Sequence, residues 1–363
     1  MQVKCNVLDR QYKMYEQEYN EAALRVLRSG WYVLGNEVSE FESEFAKHMN
    51  ASNCVGLNSG LDALILAVRA LNIGKGDEVI VQANTYIATV LGITANGATP
   101  IYVEPDGYFN IDADKIEEKI TKKTKAIIVV HLYGQASRMD KIMGLANRYN
   151  IPVIEDCAQS HESCFNGQKT GTFGTIGCFS FYPTKNMGAF GDAGCIITED
   201  KNIADKIRMM RNYGSKVKYQ NDIDGVNSRL DEMQAALLRV KLRHITSITE
   251  ERYKLGNNYK QGIKNQKIIL PETLKNVNHV YHQFVIRCDK RDELHDYLEQ
   301  NGIQTQIHYP IPPHLAKCYQ SQGYKIGSFP ITEKYANTVL SLPMYTGMTD
   351  EEQEYVINVI NKF

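Results

Sequence analysis

Residues 152–160 read PVIEDCAQS, a short apolar run that ends in the two acidic residues Glu155 and Asp156. Stretches long enough to form helices separate it from three earlier runs of the same kind: Glu78–Val81, Pro100–Val103 and Ala126–His131. Short apolar runs at this spacing are typical of a mainly parallel sheet whose crossover helices cover both faces. The pattern therefore predicts an α/β fold.

Amphipathic helices are predicted before the first of these runs. Ala23, Val26 and Leu27 fall on one helical face, and Gly30 stops that helix. A second helical face follows, at Val38, Phe41, Phe45 and Met49. Such faces pack against a sheet or against another helix.

The pattern changes after residue 156. Two runs with little between them predict adjacent strands, and a helix begins near Asp231 and runs to His244 or beyond. Further on, short strands and helices alternate and predict a compact α+β unit. The two adjacent strands are Gly177–Tyr182 and Gly194–Thr198, and the later elements are the strand Val280–Cys288, the helix Arg291–Asn301, the strand Gln304–Tyr309 and the helix Asp350–Asn361. We predict a large α/β domain over residues 1–250 and a small α+β domain over residues 251–363.

Composition excludes several classes of protein. The chain has 363 residues and a formal net charge of −1, so it lacks the basic excess of a general nucleic-acid coat. None of the eight cysteines forms a Cys-x-x-Cys pair, and no secretory signal opens the sequence. Residues 79–103 carry no charge, but they are too polar to span a bilayer and predict a strand, a buried helix and a strand. We expect a cytoplasmic protein with reduced thiols and no metal site.

Residues 56–64, GLNSGLDAL, predict a strand, a Ser-Gly turn and an apolar helix. The N-terminus of such a helix presents free backbone N–H groups, which bind phosphate well. An ordinary helix cap at Asn58 or Ser59 is the alternative interpretation. The segment matches neither a Walker A loop nor a dinucleotide-binding GxGxxG turn.

The second segment of interest, residues 152–160, contains Asp156. A carboxylate at the C-terminal end of a buried parallel strand lies where α/β proteins bind ligands. Burial raises the pKa of such an acid unless a cation or hydrogen-bond donor faces it. The alternative is an acid that caps the strand or forms a salt bridge.

Residues 178–188, CFSFYPTKNMG, contain Lys185, the one charged residue between Thr170 and Gly191. A desolvated lysine has a lowered pKa, and its free amine is a nucleophile for a carbonyl. A surface lysine on a glycine-rich loop is the alternative. Residues 225–236, GVNSRLDEMQAA, form a polar turn that enters a helix.

These segments fit one cofactor. Lys185 can form an imine, Asp156 can hold a protonated pyridine nitrogen, and the helix N-terminus with Ser180 can hold a phosphate. Pyridoxal phosphate needs these three anchors.

The whole chain resembles the DegT/DnrJ/StrS family of nucleotide-sugar aminotransferases. The resemblance runs from GWYVLG at residues 30–35, through the segments above, to SLPM at residues 341–344. It implies the fold-type I, aspartate aminotransferase-like architecture, with a large mainly parallel sheet domain and a small C-terminal α+β domain. IHYPIPPHL at residues 307–315 is most similar to the enzymes that aminate C3 of dTDP-3-keto-6-deoxyhexoses.

The resemblance also assigns roles. It implies that Lys185 and Asp156 are catalytic, that Asn227 reaches the cofactor phosphate of the partner subunit in a homodimer, and that sugar-facing and further cofactor-facing positions surround them. The sugar-facing positions are Tyr182, His308 and Tyr309, and the further cofactor-facing positions are Gly60, Leu61, Tyr86, Gln159 and Ser180. Many members of the family have threonine at the position of Leu61, so only its backbone N–H is expected to reach the phosphate.

The expected reaction moves an amino group from L-glutamate to a nucleotide-linked ketosugar. A 4-aminotransferase acting on a UDP- or dTDP-sugar is one alternative, and a non-catalytic regulator of the same fold is another. Lys185 and the complete set of cofactor anchors disfavour the regulator. A nicotinamide-dependent sugar dehydrogenase is disfavoured because no strand is followed by GxGxxG.

Overall fold

The computed structural model describes all residues, 1–363, and contains eleven α-helices and fourteen strands. The helices are α1 Leu8–Met14, α2 Glu16–Ser29, α3 Asn36–Met49, α4 Gly60–Ala70, α5 Ile87–Thr94, α6 Met139–Tyr149, α7 Lys201–Met210, α8 Glu232–Gly262, α9 Arg291–Gln300, α10 Pro330–Thr338 and α11 Asp350–Ile360. The strands are β1 Asn53–Leu57, β2 Glu78–Gln82, β3 Thr99–Val103, β4 Thr124–Val130, β5 Val153–Asp156, β6 Cys164–Phe165, β7 Gln168–Lys169, β8 Ile176–Ser180, β9 Gly194–Thr198, β10 Ser215–Val217, β11 Gln220–Asn221, β12 Val277–Asn278, β13 Phe284–Arg287 and β14 Val339–Leu342. Short 3-10 helices lie at Ala113–Lys115, Glu117–Lys119, Leu132–Gly134, Pro313–Leu315 and Lys317–Gln322.

A seven-stranded sheet forms the large unit, with strand order β1-β9-β8-β5-β4-β2-β3. The five strands from β8 to β3 are parallel, and β9 runs antiparallel to both of its neighbours. Ile128 of β4 packs into one apolar core, whereas Ile127 and Val129 pack into another on the opposite face. The predicted mainly parallel sheet with both faces covered is confirmed, and the two adjacent strands after residue 156 are β8 and β9.

The small unit has its own core. Strands β13 and β14 pair antiparallel. Tyr259 from the last turns of α8 packs with Phe284, Leu294 and Val356. The N-terminal residue Val3 joins this core and bridges to Ile303. Helix α8 continues unbroken across residue 250, so the boundary between residues 250 and 251 stays a prediction.

Three local expectations are wrong. Residues 304–309 are irregular apart from one bridge between Gln306 and Ser341, and the backbone N–H of Gln304 donates instead to Val3 O at 2.9 Å. The strand expected from Val280 begins only at Phe284, because Tyr281 has a φ of 45°, which a strand does not tolerate. Leu27 is 55% exposed, because Tyr19, Ala22 and Val26 form the face of α2 that packs on α8.

Other predicted elements are confirmed. Gly30, with a φ of 67°, ends α2, and Asp231 is the N-cap residue of α8. The uncharged stretch at residues 79–103 is β2, α5 and β3. All eight cysteines are free thiols. No helix combines the length and the apolar character needed to cross a bilayer.

Candidate active site

A cavity of about 620 Å³ lies where β5 and β8 end and α4 begins. Ten of the eleven residues that the sequence analysis assigned to the site line this cavity. They are Gly60, Leu61, Tyr86, Asp156, Gln159, Ser180, Tyr182, Lys185, His308 and Tyr309. The structure thus brings the candidate cofactor and substrate residues together in one place.

Lys185 lies on a tight turn that follows β8. The turn is closed by two backbone hydrogen bonds, from Lys185 N to Tyr182 O at 2.8 Å and from Ala189 N to Phe181 O at 2.7 Å. Gly188 lies so close to the backbone of Pro183 that no larger residue fits there. Burial lowers the pKa of Lys185 to about 8, and the charge of Asp156 offsets part of that effect. A much larger fraction of this amine than of an ordinary lysine is therefore unprotonated, and so nucleophilic, near neutral pH.

Asp156 ends β5 and is only 4% exposed. Its Oδ2 accepts a hydrogen bond from Thr89 Oγ1 at 2.8 Å, and its Oδ1 accepts one from Ala158 N at 3.1 Å. Burial raises the pKa of this carboxyl, and Lys185 contributes a smaller opposing effect. No cationic side chain forms a salt bridge with it, so the site fits a ligand that brings its own positive charge.

The neighbouring acid Glu155 points to the other face of the sheet. Its carboxylate accepts hydrogen bonds from Gly171 N at 2.7 Å, Phe173 N at 2.8 Å and Gly174 N at 2.7 Å. It also lies 2.9 Å from Nε2 of the buried His131. Because side chains alternate along a strand, only Asp156 of the pair reaches the cavity.

The N-terminus of α4 faces Ser180. Ser59 caps the helix by accepting from Asp62 N through its Oγ and from Ala63 N through its carbonyl oxygen, each at 3.1 Å. The N–H groups of Gly60 and Leu61 precede this capped turn and have no helical partner. A Cβ atom on Gly60 would lie 2.5 Å from Ser180 Cβ, so the helix end and the serine form a close cradle. This cradle fits a phosphate.

An aromatic and amide network forms the opposite side of the cavity. Gln159 Nε2 donates to Tyr309 Oη at 2.9 Å, and Gln159 Oε1 accepts from Tyr133 N at 2.7 Å. The ring of Tyr86, which is half-exposed, lies 5.0 Å from the ring of Tyr309. The amide of Gln159 is thereby fixed beside Tyr309, and a planar ligand in the cavity can contact the rings of Tyr309 and Tyr86.

His308 is held by the protein through both ring nitrogens. Nδ1 lies 2.8 Å from Ser341 Oγ, and Nε2 lies 2.8 Å from Gln283 Nε2. Burial lowers the pKa of His308 to about 4, so the ring is neutral at pH 7 and accepts a hydrogen bond from the amide of Gln283. Gln283 lines the cavity as well.

Asn227 does not line the cavity of its own chain. It is exposed, forms a bridge with Asn212 and lies on the turn that leads into α8. Its contact with a cofactor phosphate in a partner subunit stays a prediction.

Sequence reasoning missed several residues at the site, among them Thr89, His282 and Gln283, which line the cavity, and Tyr133, whose backbone N–H holds Gln159. Tyr133 follows the end of β4, and the rule that ligands bind at the carboxyl ends of parallel strands could have found it. The apolar stretch around His282 and Gln283 was interpreted as a plain strand, and it carries no signal of its own.

A lysine of lowered pKa, a buried acid without a counter-ion and a phosphate cradle in one cavity define a pyridoxal phosphate enzyme on a fold-type I scaffold. The sequence profile of the DegT/DnrJ/EryC1/StrS aminotransferase family matches residues 13–361, and the chain belongs to this family. Pyridoxal phosphate is its cofactor, and the chain is a sugar aminotransferase.

Individual relatives are similar over nearly their whole length. A curated relative from Aneurinibacillus thermoaerophilus, named dTDP-3-amino-3,6-dideoxy-alpha-D-galactopyranose transaminase, is 50% identical over 96% of each chain. The crystal structure of S. venezuelae DesV in complex with a ketimine intermediate has a TM-score of 0.97 and 42% identity, covering 99% of this chain and 98% of that one. The NtdA protein from Bacillus subtilis, solved with bound cofactor PMP, has a TM-score of 0.90 and 33% identity, covering 98% of this chain and 83% of that one.

Proposed function

We propose that the protein transfers the amino group of L-glutamate to C3 of a dTDP-linked 3-keto-6-deoxyhexose. The product is the dTDP-3-amino-3,6-dideoxyhexose. The observation that carries this substrate is the 50% identity to the transaminase from Aneurinibacillus thermoaerophilus, which extends over 96% of both chains. The site adds two features that a ketosugar needs: a lysine amine and, in the same cavity, neutral polar side chains such as those of Gln159, Gln283 and His308.

Asp156 and Lys185 have different roles in the proposed reaction. Bound pyridoxal phosphate supplies an electron-withdrawing ring that stabilises negative charge at the reacting carbon. Asp156 holds the ring nitrogen protonated, because its buried carboxylate has no other cationic partner. Lys185 would hold the cofactor through an imine bond and would give up that bond to the amino group of the incoming donor, and its freed amine would then carry a proton between the two reacting carbons.

The second half of the reaction uses the same groups in the reverse order. The ketosugar enters past the exposed Tyr182, and Lys185 moves the proton in the opposite direction. Gly60, Leu61 and Ser180 keep the phosphate fixed throughout, so that the reacting atoms stay at one position relative to Lys185.

We further propose that the active enzyme is a homodimer with shared sites. Asn227 is exposed and lies away from its own cavity, so a contact between it and a cofactor phosphate has to be made in another subunit. Mixing Lys185→Ala subunits with Asn227→Ala subunits tests this. Restored activity in well-folded heterodimers is expected, and no complementation, with Asn227→Ala itself impaired, would contradict sharing.

A substrate panel tests the reaction. Purified protein is given L-glutamate and either dTDP-3-keto-6-deoxyhexoses, dTDP-4-keto-6-deoxyhexoses or UDP-4-ketosugars, and the aminated product is identified by mass spectrometry and NMR. We expect turnover of the dTDP-3-ketosugar, with kcat/KM at least tenfold above the others. A preference for a 4-ketosugar would establish the alternative 4-aminotransferase.

A further inference from the structure

The segment 280–283 is held in an irregular conformation by backbone hydrogen bonds at both of its ends. Val280 N donates to Gly134 O at 2.9 Å, and Gln283 N donates to Tyr133 O at 3.3 Å. Within the segment, Tyr281 has a φ of 45°, a strained value for an aromatic residue. Strain of this kind persists only where the surroundings over-determine the backbone, and it clusters at functional sites.

Arg252 fixes the same segment from the other side. This fully buried guanidinium donates to Tyr281 O at 3.0 Å, to His282 O at 2.6 Å and to Met344 O at 3.4 Å. The guanidinium of Arg252 donates to three backbone carbonyls and contacts no carboxylate. Its charged hydrogen bonds therefore fix the backbone of segment 280–283 closely. The side chains of His282 and Gln283, which line the cavity, are therefore presented from a rigid support.

The protonation state of His282 follows from its contacts. Asn186 Nδ2 donates to Val280 O at 3.2 Å, so its Oδ1 is turned toward His282 Nδ1, 3.3 Å away. An amide oxygen only accepts, so Nδ1 carries the hydrogen and Nε2 carries a lone pair. Nε2 has no partner in the protein and is not shut off from the cavity.

His282 also stays neutral. Burial lowers its pKa well below 6.5, and the positive charge of Lys185 is the next largest cause, followed by Arg252, His308 and His161. Asn186, which fixes the ring, directly follows Lys185 in the chain. His282 is therefore a neutral acceptor that lines the same cavity as Lys185 and is hydrogen-bonded to the turn that carries the lysine.

We propose that His282 is a positioning residue of the active site, whose neutral Nε2 accepts a hydrogen bond from the free amine of Lys185 and holds that amine over the cavity. The proposal rests on the proposed function, because it concerns the stage at which the lysine is free to carry a proton. His282 itself takes no proton, and its contribution is to restrict where the amine points. Such restriction matters because proton transfer requires close alignment of the two atoms.

The test measures the lysine directly. A neutral acceptor binds an ammonium more strongly than an amine, so its loss lowers the pKa of Lys185. The full-length protein carrying pyridoxamine phosphate, in which Lys185 is free, is treated with acetic anhydride across pH 6–10. Acetylation of the Lys185 peptide is then quantified by mass spectrometry. In His282→Phe we expect the labelling midpoint to move down by about one pH unit, the size expected for one hydrogen bond to a charged group.

Two matched variants complete the experiment. His282→Gln keeps a donor for Asn186 and an acceptor for the amine, so its midpoint should stay near that of the parent. His161→Phe removes another buried histidine of lowered pKa, which packs on Phe179 and Phe181 but does not line the cavity, and should not move the midpoint.

The proposal fails if His282→Phe leaves the midpoint unchanged, or if His161→Phe shifts it equally. His282→Met replaces the phenylalanine variant if circular dichroism shows that the latter is misfolded. The readout involves no sugar, so an error in the proposed substrate leaves this result intact.

Discussion

Asp156 ends β5 and Lys185 follows the adjacent parallel strand β8, whereas three other cavity residues lie on irregular segments much later in the chain: His282, Gln283 and His308. We call these two groups the strand-end wall and the far wall of the cavity. In the strand-end wall the backbone of the sheet sets each position. In the far wall, side-chain hydrogen bonds such as those of Arg252 and Ser341 do so. The difference teaches that the sheet itself positions the strand-end wall, whereas the far wall depends on side-chain contacts between distant parts of the chain.

Lys185→Ala should abolish transamination in both half-reactions, a loss of more than about 100-fold, because the lysine carries both the carbonyl exchange and the proton. The protein should stay folded and retain pyridoxal phosphate non-covalently. Single-turnover kinetics and the visible absorption of the cofactor measure this. Retention of more than about 1% of the activity would remove Lys185 from its assigned role, and replacing the exposed Lys125 by alanine is the matched control.

Asp156→Asn should slow both half-reactions by about 100-fold or more and weaken cofactor binding, because a neutral amide does not stabilise a pyridinium. Rapid kinetics with each amino donor or acceptor, together with a cofactor titration, measure the effect. The neighbouring Glu155→Gln should instead lower thermal stability, because the carboxylate of Glu155 accepts hydrogen bonds from three backbone N–H groups on the face of the sheet opposite Asp156. A near-normal rate in Asp156→Asn would mean that this acid merely ends a strand.

His308→Ala should affect the two half-reactions unequally. We expect kcat/KM for the nucleotide ketosugar to fall by about 10- to 1000-fold, because the support of Gln283 is lost, while the glutamate half-reaction changes far less. Each half-reaction is followed in a single turnover, with His295→Ala on α9 as the control. Equal losses in both half-reactions would place His308 in support of the fold or cofactor, and no loss in either would place it outside the site.

The smallest expected effect is that of pH on the sugar half-reaction. Starting from the pyridoxamine form, its rate should rise about tenfold between pH 7 and pH 9 and then level off. The sign follows from Lys185: burial lowers its pKa to about 8, so the free amine is the minor form below that pH and the major form above it. A flat profile over this range would show that another group carries the proton.

The strand-end wall could be predicted from the sequence, and the far wall only in part. Short apolar runs locate the parallel strands, and the ends of those strands locate Asp156 and, with the turn after β8, Lys185. His282 and Gln283 could not be found this way, because their positions come from Arg252 and from the backbone after β4, contacts that no local pattern encodes. His308 was found through resemblance, but its bonds to Ser341 and Gln283 required coordinates.

The pairing of Val3 with residues near Ile303 has a consequence for biosynthesis. Val3 N donates to Gly302 O at 2.8 Å, and Gln304 N donates to Val3 O at 2.9 Å. Val3 is therefore made about 15–60 s before its partner near residue 303, at ordinary rates of translation. The core of the small unit is thus incomplete until two segments about 300 residues apart meet, and residues 251–363 expressed alone lack one of its core residues.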